Sequence, residues 1–146
     1  MSRILAIDYG KKRCGLAVTD PMQLIAGGLA TIPTHELIPY LKKYIQREPV
    51  ELFVVGDPKS LDGTATDATP LVEQCIRSLK KHFSGIGVRK LDERFTSKLA
   101  FRSMIDSGLK KMQRRDKALV DEVSATILLQ DYLEAAAGGG RLPDAE

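Results

Sequence analysis

The residues of this sequence best suited to chemistry are carboxylates at the ends of apolar runs. Asp8 closes the run Ile4-Leu5-Ala6-Ile7, which reads as a buried strand, and Gly10 marks the turn after it. Asp92 and Glu93 end a later run, Ile86–Leu91, and Asp121 falls in the first turns of a long helical pattern, about Ala118–Ala137. A carboxylate at the end of a central strand is costly to bury alone, so it requires a cation, a hydrogen-bond donor or a metal. Carboxylates that converge repel one another unless cations hold them. Oxygen-only ligands, completed by water, suit Mg²⁺ or Mn²⁺. Two such ions about 4 Å apart are a known device for in-line displacement at phosphorus. The plain alternative for the first stretch is a capped hairpin with an aspartate in its turn.

The elements that must position these acids follow from apolar periodicity and turn residues. Arg3–Tyr9 and Arg13–Thr19 read as the first two strands and Leu24–Ile32 as a weaker third, loosened by Gly27 and Gly28. Thr34 can cap a helix running to about Arg47, with Leu37, Leu41, Tyr44 and Ile45 as its apolar stripe. Val50–Gly56 is a fourth strand, and the helix before it makes the strand–helix–strand pattern of a parallel crossover. A loop from Asp57 leads to a helix over Pro70–His82 and then to the fifth strand. A further helix is expected from Thr96 to Ser107, ended by Gly108. The reading is an α/β fold with a five-stranded mixed sheet, an antiparallel three-strand meander plus two parallel strands, flanked by helices. In an open sheet of this kind, ligands collect beyond the carboxyl ends of the parallel strands. That places Asp8 and Asp92–Glu93 at one edge, to which the start of the last helix can return Asp121.

The 146 residues suit one domain, expected over 1–137 with a flexible tail at 138–146. Net charge is only +3, so the total does not argue for a polyanion partner. The distribution is more telling: Lys98 to Lys117 holds seven Lys/Arg against two Asp. Lys110, Lys111, Arg114 and Arg115 form its centre, and Lys11, Lys12 and Arg13 sit in the turn beside Asp8. The alternative for the basic segment is a solvated helix face and loop. Cys14 and Cys75 lie in unrelated segments without metal-ligand spacing and read as free thiols in a reducing compartment. No signal segment opens the chain, and no apolar run approaches membrane-spanning length. A cytoplasmic protein with no membrane partner is expected. No nucleophile–histidine arrangement or P-loop is present, and His35 and His82 read as surface residues.

The segments "AIDYGKKRCGLAVTD", "VVGDPKSLDGT", "LDERFTS" and "KALVDEVSATILLQDYL" together resemble the YqgF/RuvX family of RNase H-like proteins, from about Arg3 to Leu133. The resemblance implies an RNase H-like fold and a metal-dependent endonuclease using Mg²⁺ or Mn²⁺. The family is related to the Holliday-junction resolvase RuvC and is associated with maturation of the 5′ end of pre-16S ribosomal RNA. It implies that Asp8, Glu93 and Asp121 are both the catalytic residues and the metal ligands. Between Asp92 and Glu93, strand alternation lets only one face the site without saying which; the family pattern selects Glu93. Lys12 and Arg13 match the family's basic pair, placed to hold a phosphate or to offset Asp8. Arg94 would orient Glu93 through a bidentate pair or contact the nucleic-acid backbone. Asp57 departs from the pattern, standing where Gly-Leu-Pro is usual, and reads as a loop residue. Ser124, one turn past Asp121, supplies no fourth carboxylate.

These readings converge on a nucleic-acid partner, pre-rRNA ahead of DNA junctions, bound by Lys11, Lys12, Arg13, Arg94, Lys110, Lys111, Arg114 and Arg115. The protein would act as a monomer or a homodimer. Rival readings are a resolvase of four-way DNA junctions, a non-catalytic assembly factor, and a fragment of an actin-like ATPase. The length lacks the second half that would enclose ATP.

Overall fold

The computed structural model describes residues 2–57, 69–92 and 117–137. Its strands are β1 (Arg3–Tyr9), β2 (Arg13–Thr19), β3 (Ala26–Pro33), β4 (Val50–Asp57) and β5 (Gly87–Asp92). Its helices are α1 (Leu37–Arg47), α2 (Thr69–His82) and α3 (Lys117–Ala137). The helix expected at Thr96–Ser107 lies outside the described residues.

One five-stranded sheet runs in the order β3-β2-β1-β4-β5. The β1–β2 and β2–β3 pairs are antiparallel, while β1–β4 and β4–β5 are parallel. This is the mixed sheet expected from the sequence, with β1 at its centre. Ile4, Leu5, Ala6 and Ile7 are all buried, as a strand covered on both faces requires.

Alternation along β1 divides the core in two. Leu5 and Ile7 join Leu16, Phe53 and Val55 beneath α1 and α2, which contribute Leu41, Tyr44, Cys75, Ile76 and Leu79. Ile4 and Ala6 join Ala17, Val54 and Leu91 on the other face, beneath Ala125, Leu128, Leu129 and Tyr132 of α3. Ala6, Ala17 and Ala125 are the small members of this cluster, and there the helix can lie close to the sheet. Each large side chain so buried contributes roughly 1.5–3 kcal/mol relative to exposure.

Helix α1 ends where Pro49 disfavours helical backbone for the residue before it; Glu48 is extended at φ −131° and ψ 109°. Thr34 was expected to cap α1. Instead it opens a 3-10 turn, Thr34–Glu36, and its hydroxyl turns back to donate to the Gly10 carbonyl at 2.7 Å. Its amide donates to the Lys12 carbonyl at 3.0 Å. The turn after β1 is thereby tied to the end of β3.

At the β2–β3 turn the Asp20 carboxylate accepts from the amides of Met22, Leu24 and Ile25 at 2.8–3.0 Å. Those amide bonds, led by that of Ile25, hold its carboxyl below the usual range. Among the described residues, no helix is long and apolar enough to cross a membrane.

Candidate active site

Asp8 is the sixth residue of β1 and half-buried. Alternation from Ile4 and Ala6 puts it on the α3 face. Its partner across the antiparallel ladder is Gly15 of β2. Gly15 explains how α3 reaches the site. A Cβ built there would meet the Asp121 carbonyl oxygen at 2.0 Å and the Glu122 nitrogen at 3.1 Å. The backbone of α3 therefore occupies the space that any other residue would fill, directly beside Asp8. A glycine inside an apolar strand often marks such a close approach.

Asp121 is thus delivered to the strand that pairs with Asp8. Its Oδ2 accepts a hydrogen bond from Arg13 Nε in an ion pair, with the two side chains 17% and 36% exposed. Arg13 and Gly15 share a face of β2, so one strand supplies both the opening for α3 and the cation for its carboxylate. Arg13, foreseen as a phosphate contact or an offset for Asp8, pairs with Asp121. Gly10, Lys11, Lys12, Arg13 and Asp121 line a cavity of about 360 Å³. Lys11 and Lys12 are exposed at its rim. Gly10 cannot be replaced without moving the turn, because a Cβ would lie 2.6 Å from the Arg13 carbonyl oxygen.

The electrostatics agree with this proximity. Burial pushes the Cys14 thiol up, hydrogen bonds with Thr34 and the Gly10 backbone oppose that, and the carboxylates of Asp8 and Asp121 both add to the rise. Two acids far apart in sequence act on one buried thiol.

The structure distinguishes the remaining acids by face. Asp57, expected in a loop, is the last residue of β4, paired with Asp92 and only 4% exposed. The parallel pairing with β5 extends the strand to include it. Alternation from Phe53 and Val55 directs it to the α1–α2 face, away from Asp8. Asp92 follows Leu91 of the α3 core and alternates to the α1–α2 face, as does Lys90, which bonds Glu73 of α2 at 3.1 Å. Neither Asp57 nor Asp92 shares the Asp8 face.

Glu93, Arg94, Lys110, Lys111, Arg114 and Arg115 lie outside the described residues. Among the described residues, no three His, Cys, Asp or Glu side chains gather as a metal site, and only two of the three expected acids fall there. Ser124, one turn after Asp121, is fully buried, and its Oγ has no hydrogen-bond partner among the described residues. Asp8 and Asp121 offer oxygen donors alone, the chemistry that a hard divalent cation takes.

The family model described as "RuvX: Holliday junction resolvase" matches residues 2–135. A protein of Bacteroides thetaiotaomicron is 55% identical over 135 residues, spanning 92% of this chain and 98% of the relative. One from Flavobacterium psychrophilum is 53% identical over 133 residues, spanning 91% and 97%. Both bear the name "Putative pre-16S rRNA nuclease". RuvC of Thermus thermophilus, in a structure with a Holliday junction substrate, superposes with a TM-score of 0.58 at 15% identity. That alignment covers 98% of this chain and 100% of RuvC, and it identifies the fold as RNase H-like. With a family model spanning nearly its whole length and relatives more than half identical, the chain belongs to the RuvX family.

Proposed function

We propose that this chain is a metal-dependent endonuclease that cuts structured nucleic acid, with the 5′ region of pre-16S rRNA as its substrate in the cytoplasm. The observation that carries the reading is the delivery of Asp121 across Gly15 to the strand paired with Asp8, beside an exposed Lys11–Lys12 turn. Two carboxylates next to a basic turn suit a phosphodiester held close to a cation. The names of the relatives supply the choice of substrate.

Asp8, Glu93 and Asp121 would hold Mg²⁺ or Mn²⁺, and Glu93 is favoured over Asp92 because Asp92 faces α2. The bound ion would supply Lewis-acid stabilisation of charge at phosphorus. The chain's own residues do the rest. Lys11 and Lys12 attract the backbone as exposed point charges. Arg13 fixes the Asp121 carboxylate through a charge-assisted hydrogen bond. Thr34 anchors the turn that carries the lysines, and α3 closes one side of the site. Arg94, Lys110, Lys111, Arg114 and Arg115 extend the contact to the backbone.

A second reading, resolution of four-way DNA junctions, is favoured by the family's description; it requires a dimer with two sites. One assay separates the two readings: cleavage of a pre-16S precursor and of a DNA junction in Mg²⁺ or Mn²⁺, by wild type, Asp8→Asn and Asp121→Asn. The proposal expects cutting of the RNA and a loss of at least about a hundredfold in each variant. Full activity in Asp8→Asn would remove the site, and cutting of the junction alone would install the second reading.

A further inference from the structure

Asp8 and Tyr9 are consecutive on β1 and therefore face opposite sides of the sheet. Asp8 lies on the α3 side, where Asp121 and the Lys11–Arg13 turn line the first cavity. Tyr9 lines a second cavity, about 340 Å³, with His35, Leu71 and Gln74. The two cavities lie on either side of one turn, and Lys11 and Lys12 line both.

The chemistry of the second cavity is specific. Tyr9 and Leu71 offer an aromatic and an apolar surface, and Gln74 and His35 are exposed polar groups able to donate and accept. No carboxylate is among its described lining residues. The turn between the cavities is fixed by the two hydrogen bonds from Thr34 to Gly10 and Lys12. The volume is at the small end of ligand pockets, roughly 300–1,000 Å³, which suits one nucleotide and not a base pair.

We propose that the strand being cut crosses this turn and places one unpaired nucleotide in the Tyr9 cavity, its base against Tyr9 and Leu71 and its phosphate on Lys11 and Lys12. His35 and Gln74 meet the edge of the base. An unpaired base is needed because a paired one has its faces and its edge already occupied. Aromatic stacking tolerates any base, so the site reads the absence of pairing more than sequence. The inference rests on the nucleic-acid reading above and adds to it a requirement for a single-stranded nucleotide beside the cut.

The test uses an RNA hairpin with a single-stranded 5′ flank, which fixes the register, prepared with one abasic nucleotide at each flank position in turn. Binding to the intact chain is read by fluorescence anisotropy in chelator, where no cutting occurs. One abasic position should weaken binding about tenfold, and the others should not. The double variant His35→Ala/Gln74→Ala alters exposed side chains that do not threaten the fold; it should reduce that selective loss to under threefold. Tyr9→Phe should retain the loss and Tyr9→Leu should abolish it. A uniform abasic response, or one the double variant leaves unchanged, overturns the cavity. If wild type still cuts the hairpin when metal is restored, the nuclease reading survives that result. A chain that neither binds nor cuts overturns both.

Discussion

Replacing Gly15 with alanine tests the geometry that brings the two acids together. The new Cβ would meet the Asp121 carbonyl oxygen at 2.0 Å, whereas ordinary contact begins at 3.4 Å, so helix or strand must give by about 1.4 Å. The obstacle is backbone on both sides, and no rotamer relieves it. Overpacking of this kind costs about 1–3 kcal/mol, and each kcal/mol lowers Tm by about 2–4 °C in a domain of this size. Activity should suffer more than stability. A shift of about 1 Å in a catalytic group can cost about 10²-fold, and here the displaced group is Asp121 itself. Gly28→Ala is the control. Its Cβ would meet the Glu122 side chain, 2.2 Å from Oε1 and 2.8 Å from Cγ, and a change of rotamer can move that side chain as none can move the Asp121 carbonyl. It should cost under about 1 kcal/mol and spare cleavage. Thermal melts read the first quantity, and single-turnover cleavage below the melting range reads the second. A Gly15→Ala protein that melts and cuts like wild type would refute the placement of α3. One whose activity falls only with its folded fraction would refute the positioning argument.

Asp121→Asn removes both the anionic partner of Arg13 and part of the repulsion with Asp8. These effects oppose each other in a partly exposed pair, so stability in chelator should change by no more than about 1 kcal/mol while cleavage is lost; active protein would release Asp121 from the site. Neutralising Lys110, Lys111, Arg114 and Arg115 together should lower the log–log salt slope of binding by about 0.7–0.9 per lost phosphate contact. An unchanged slope returns that segment to solvent. Burial pushes both thiols up, so the folded state holds their protons more tightly than the unfolded state does. Stability should be full below about pH 8.5 and fall as pH rises above it. Native protein should resist a thiol reagent until denaturant is added, and fast native labelling would contradict the buried placement of Cys14 and Cys75.

Much of the fold was legible because periodicity and burial agree. The bounds of β1 and β2 follow the apolar runs residue by residue, and α1 stops where Pro49 requires. The sequence could also place Asp8 at a strand end and Asp121 near a helix start, since both are local facts. What it could not supply was facing. Whether Asp57 and Asp92 share a side with Asp8 depends on the register between β4 and β5, which no single strand encodes. Asp57 was read as a loop residue because its ladder partner is more than thirty positions away in the chain. Gly15 falls inside the expected second strand with nothing local to explain it; only a helix more than a hundred residues later gives its missing side chain a purpose. Thr34 was misread for a related reason. A threonine before a helix suggests a cap, but the nearest unsatisfied carbonyl belonged to Gly10 of another element.

The Arg13–Asp121 pair spans 108 residues of chain, and this distance fixes an order of events during synthesis. A ribosome adds about 5–20 residues per second, N-terminus first. At that rate about 5–20 s separate the appearance of Arg13 from that of Asp121. In that interval the nascent chain carries the β1–β2 hairpin with its Lys11–Lys12 turn but lacks Asp121 to set beside Asp8. On the proposed function, it would hold nucleic acid before it could cut it. A chain interrupted short of α3 would keep a charged grip on nucleic acid while lacking the acid pair, so an incomplete product would compete for substrate without degrading it.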